Sequence, residues 1–244
     1  MSSAADIVMV VLAMGMVLLL GVGVARSARL GGRDATSSKR LGVTVVLALC
    51  LWLLVTGLLA SSGVLAVWTS RPPRWPLLPL TALVATVAYN RTALAKALVA
   101  STPRAWPIAA QTFRVAVELA IFALHEAGRA PRQITFEGHN FDILVGLTAP
   151  LIAWLVARRR ISPTSVALWN VLGLAILANT MGTVATSTPG PLHLDWAGAP
   201  FTAVASWPVV WLPALLAPLA VFLHVLSLRQ ALTDRRAAAL RSTT

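Results

Sequence analysis

Seven apolar runs in series, joined by short connections, constrain this chain more than any other feature. They cover about residues 6–26, 41–67, 75–95, 107–128, 141–157, 163–186 and 207–230. A helix of about 20 residues rises about 30 Å, the thickness of a bilayer's hydrocarbon core. In hydrocarbon a segment must satisfy its own backbone N–H and C=O groups, so runs of this length predict membrane-spanning helices. The expected fold is therefore an all-α membrane protein: a single bundle of seven transmembrane helices, with residues 1–244 forming one integral membrane domain. Only 11% of the residues are charged, against about 25% in soluble domains.

Loop charge sets the expected orientation. Arg26, Arg29, Arg33, Lys39, Arg40, Arg91, Lys96, Arg104, Arg158–Arg160, Arg229, Arg235, Arg236 and Arg241 fall on one side. Arg71, Arg74, Arg129 and Arg132 fall on the other, and Arg114 lies within a span. Lys and Arg are retained on the cytoplasmic side, so the N-terminus is expected outside and the C-terminus in the cytoplasm. The net charge of +12 is thus loop chemistry, and it gives no reason to expect a nucleic-acid partner. The partner it implies is the lipid bilayer. The opening MSSAADIVMVVLAMG lacks a basic n-region and is expected to remain as the first span. Cys50, the single cysteine, excludes an intramolecular disulfide. Residues 91–100 are expected to turn along the cytoplasmic surface, and Trp68, Trp75, Trp106, Trp207 and Trp211 to mark the interfaces.

The fourth run is the one with charge near its middle. Gln111, Arg114, Glu118 and His125 fall at offsets that map to about 0°, 300°, 340° and 320° on a helix, one narrow stripe. A charge in hydrocarbon costs about 2.5–3.5 kcal/mol on insertion scales, and such groups face a bundle interior or a wet cavity. Arg114 and Glu118, four residues apart, are expected to pair. Asn170 in the sixth run and His224 in the seventh lie at similar depth, which makes Gln111, Arg114, Glu118, His125, Asn170 and His224 the candidate ligand-binding set. Asn179 falls further out.

The outer connection after the fourth run carries Glu137, His139, Asn140 and Asp142, with His125 and Glu126 just before it; His193 and Asp195 lie in a second outer loop. Carboxylates and imidazoles ligate metals, but no HExxH or helically repeated ligand pair is present. No metal site is therefore assigned. The expectation is a loop folded over the bundle mouth through Ile134, Phe136, Phe141 and Ile143, with Asn140 or Asp142 capping the next helix.

QTFRVAVE followed by TFEGHNFDILVGLTAP resembles a family of small bacterial multi-pass membrane proteins. In that family a fourth-span Arg-x-x-x-Glu precedes a TFEG-x-NFDI segment. The resemblance covers residues 111–150 and is faint near 170–179 and 224–230. His139 departs from it, since arginine is commoner at that position. It implies a bacterial inner-membrane, multi-pass location and draws attention to Arg114, Glu118, Glu137, Asn140 and Asp142, but it implies no activity or cofactor.

No P-loop, GxSxG elbow or haem-attachment motif is present. Three functions fit these residues. The first is binding or transport of a small polar molecule or ion through the buried Arg/Glu site. The second is a membrane-embedded hydrolase at the outer face, metal-dependent or not, with Glu118 or Glu137 as general base and His125, His139 or His193 as acid or ligand. The third is a non-catalytic assembly partner.

Overall fold

The structure, a computed structural model, describes residues 4–241, and among them every regular element is helical. The helices are α1 (Ala4–Leu30), α2 (Ala35–Ser61), α3 (Leu77–Asn90), α4 (Ala93–Ser101), α5 (Ala105–Ala110), α6 (Phe113–Glu126), α7 (Asp142–Ala157), α8 (Pro163–Ser187) and α9 (Ala217–Arg241). A π-helical turn, Leu212–Leu216, leads into α9.

Among the described residues, five stretches are long and apolar enough to cross a membrane: Ala4–Leu30, Ala35–Ser61, Ala105–Glu126, Pro163–Ser187 and Leu212–Leu240. The other two expected spans are not straight, full-length helices. The third breaks between α3 and α4, which meet at 83°. Thr92 accepts a hydrogen bond from the Ala95 N–H (3.1 Å) and so starts α4 as a separate helix, matching the expected turn after residue 90. The fifth, α7, has 16 residues and rises about 24 Å. It is short because the chain before it is folded into the bundle rather than laid across its mouth.

The burial pattern is that of a chain solvated by lipid. Leu47, Leu51, Leu54 and Leu58 of α2 and Leu144, Leu147 and Leu151 of α7 are exposed, while Arg114, Glu118, Asn170 and His224 are buried. Small residues let the helices touch through their backbones. A Cβ on Gly42 of α2 would stand 2.6 Å from the Gly21 carbonyl oxygen of α1. At the two ends of the bundle, Asp6 of α1 pairs with Arg129 just beyond α6 (2.9 Å), and Arg104 pairs with Asp234 of α9 (3.0 Å). Trp75 and Trp211 are buried against the protein, and Trp211 donates to the Leu53 carbonyl (3.1 Å).

Two proline-linked irregularities lie beside the polar stripe. Pro107 sits in the short helix α5. At Gln111 and Thr112 the backbone bonds tighten to i−3, so α5 and α6 are offset segments of one span. Across the bundle, Pro213 has no N–H to donate, and the chain widens there into the π turn.

Candidate functional site

The stripe on α6 is buried as its spacing predicts, but the pairing differs. Arg114 does not pair with Glu118. Its Nε donates to Asp142 Oδ2 (2.8 Å), its Nη2 donates to Asp142 Oδ1, and its Nη1 donates to His224 Nε2 (2.9 Å). Helical side chains lean toward the N-terminus, so an arginine placed N-terminal to a glutamate reaches away from it. The guanidinium goes instead to α7 and α9.

Gly146 is the reason α7 comes close enough. It lies one turn after Asp142 on the same face, and a Cβ there would stand 2.8 Å from the Val115 backbone nitrogen of α6. Replacing it with valine forces the helices apart just above the Arg114–Asp142 pair. Gly146→Val is expected to destabilise the protein by about 1–3 kcal/mol, the usual cost of overpacking, read as a lower unfolding midpoint in detergent. An unchanged midpoint would contradict the close approach.

Glu118 is fully buried, and Asn140 Nδ2 donates to both of its carboxyl oxygens at 2.8 Å. The same nitrogen donates to the Ile134 carbonyl (3.0 Å). Asn140 Oδ1 accepts from the Asp142 N–H (3.0 Å) and the Thr180 hydroxyl (2.7 Å). These bonds fix which end of the amide is which. The N-cap of α7 is Phe141 and neither expected candidate stands there; Asn140, one residue earlier, instead accepts from the N–H of the first helical residue, Asp142.

On the other side of Arg114, Asn170 Nδ2 donates to the Val166 carbonyl (2.8 Å) and to Ser227 Oγ (2.9 Å). Its oxygen is left to face His224 Nδ1 at 3.0 Å. His224 thus carries its proton on Nδ1 and offers Nε2 to Arg114, a neutral imidazole whose tautomer its neighbours dictate. Gly173 makes room for this ring, since a Cβ there would lie 2.3 Å from His224 Cε1. Gln111 Nε2 donates to the Ala220 carbonyl (3.0 Å), and its Oε1 has no partner among the described residues.

The result is one hydrogen-bonded chain through the bundle: Glu118, Asn140, Asp142, Arg114, His224, Asn170, Ser227. Of the expected ligand set, Arg114, Glu118, Asn170 and His224 belong to this chain, while Gln111 is buried on the same stripe but bonds only the Ala220 carbonyl. His125 does not; it ends α6 and its Nδ1 pairs with the Ala130 carbonyl (2.8 Å). Asn140 and Asp142, expected in an outer loop, are buried parts of the chain. Glu137 and His139 stay at the surface, with His139 against the Trp196 ring (5.4 Å). Among the described residues no three His, Cys, Asp or Glu side chains converge as a metal site would require. Thr180 and Ser227 also join the site, and neither was expected from the sequence. Thr180 shares the face of α8 that buries Asn170, Gly173 and Leu177 at heptad spacing, and that spacing was its signal.

A cavity of about 60 Å³ lies against this chain, lined by Arg114, Glu118, Asp142 and Thr180 and otherwise by apolar groups, among them Leu212 and Pro213 of the π turn. Its accessible surface is mostly apolar, and at about 10–15 Å³ per site it has room for no more than about four water-sized species. Its charged lining comprises two carboxyl groups and one guanidinium. Asp142 takes the guanidinium, so among the described residues Glu118 has an amide for its donor and no ion-pair partner. No known protein family, curated protein or solved structure matches this chain.

Proposed function

We propose that the protein spans a cell membrane seven times, with its N-terminus outside, and binds and transports a proton or small cation at Glu118. The observation that carries this reading is the charge balance beside the cavity. An isolated carboxylate in a low-dielectric interior is strongly disfavoured. Two carboxyl groups and one guanidinium balance only when Glu118 holds a proton or faces a bound cation. A cavity of about 60 Å³ suits that cargo and is too small for a metabolite. Arg114–Asp142 is the fixed part of the site, and Glu118 is the group that exchanges.

Seven spans follow if bent α3–α4 and short α7 both cross, which keeps the alternation of basic loops intact. The likeness to a bacterial membrane family over residues 111–150 fits an inner-membrane location.

The test is flux in proteoliposomes under separately imposed proton, Na⁺ and K⁺ gradients. One of the three gradients is expected to dissipate faster than in empty vesicles, and no difference for any of them would remove the proposal. A second reading, structural glue, is favoured by the near-complete pairing of Asn140, Asn170 and His224. It predicts no flux at all.

A further inference from the structure

A second polar cavity, of about 430 Å³, opens at the end of the bundle where α5, α7, α8 and α9 meet. Its charged lining groups are Arg104, Arg159 and Asp234. Arg104 holds Asp234 through two bonds of 3.0 Å, so that pair is neutral. Arg159 is exposed, its backbone is left-handed (φ 54°), and its guanidinium has no partner among the described residues. The cavity therefore carries one net positive charge.

Two buried polar groups also line it. Gln230 is 3% exposed. Its Nε2 is fixed on the carbonyls of Val99 (2.8 Å) and Thr102 (2.9 Å), while its Oε1 has no donor. Ser227, 2% exposed, accepts from Asn170 and donates to no acceptor among the described residues. A buried polar atom without a partner is costly, so Gln230 Oε1 calls for a donor, and the Ser227 hydroxyl, already bonded by Asn170, still has its proton to give. The remaining wall, including Ile108, Val156, Ile161 and Val166, is apolar.

We infer that this cavity binds the headgroup of an anionic glycerophospholipid. The phosphodiester, with its single negative charge, sits between the Arg159 guanidinium and the Ser227 hydroxyl. A headgroup hydroxyl donates to Gln230 Oε1, and the glycerol end lies along the apolar wall. Basic pockets between membrane helices bind headgroups in this way. The inference is independent of ion transport, although Ser227 joins this pocket to the Glu118 chain.

The experiment is titration of the full-length protein in detergent with phosphatidylglycerol, phosphatidylcholine or inorganic phosphate, read by native mass spectrometry. Phosphatidylglycerol is expected to bind at least about tenfold more tightly than phosphatidylcholine. Arg159→Gln removes about tenfold of that affinity, the worth of one charge-assisted bond, while Arg158→Gln changes it by less than about twofold. Equal loss in the two variants would reduce the effect to diffuse surface charge and overturn the site. Equal binding of the two lipids, or displacement of lipid by inorganic phosphate, would overturn the lipid assignment.

Discussion

Arg114→Ala is expected to cost about 3–5 kcal/mol of stability, because it strands the buried Asp142 carboxylate and takes a donor from His224. The loss should appear as a large fall in the unfolding free energy in mixed micelles. The second substitution identifies the partner. Asp142→Asn placed on Arg114→Ala removes the stranded charge and should recover a substantial part of the loss. Glu118→Gln placed on the same background should recover little, since the guanidinium does not bond Glu118. Recovery by Glu118→Gln and not by Asp142→Asn would restore the i, i+4 pairing and contradict the geometry of α6 and α7.

Much of this arrangement was legible in the sequence. The offsets of Gln111, Arg114 and Glu118 placed all three on one buried stripe, because a helical period needs no knowledge of neighbours. Depth counted along the spans put Asn170 and His224 level with them. The partners of Arg114 and Glu118 were not legible. Asn140 and Asp142 sit in a polar stretch that reads as a loop by composition, and its burial depends on the close approach that Gly146 allows. His125 shows the converse: it continues the stripe by angle, but α6 ends there and the ring turns to the Ala130 carbonyl. Periodicity gives a direction around one helix; it does not say which helix lies opposite.

Glu118→Gln is expected to leave the fold intact and to abolish transport. Glutamine is nearly isosteric, and its one carbonyl oxygen keeps one of the two bonds that Asn140 Nδ2 gives the carboxyl. Stability should change by no more than about 1 kcal/mol, the net worth of a hydrogen bond. The amide cannot take up or release a proton, and it brings no charge to hold a cation beside the cavity. Flux should fall at least about tenfold, a loss of about 1.4 kcal/mol or more in the limiting step. Asn140→Asp is the complementary change. It would set a third carboxyl against Glu118 without adding a cation, and is expected to weaken the fold where Glu118→Gln does not.

The most direct test compares wild-type protein with Glu118→Gln at matched density in proteoliposomes, with folding checked by unfolding midpoint and the proton, Na⁺ or K⁺ gradient imposed in turn. Wild-type vesicles are expected to dissipate one of these gradients, and the equally folded variant to leave it at the rate of empty vesicles. Wild-type and variant vesicles that behave alike, whether both leak or both stay tight, would contradict a transporting Glu118.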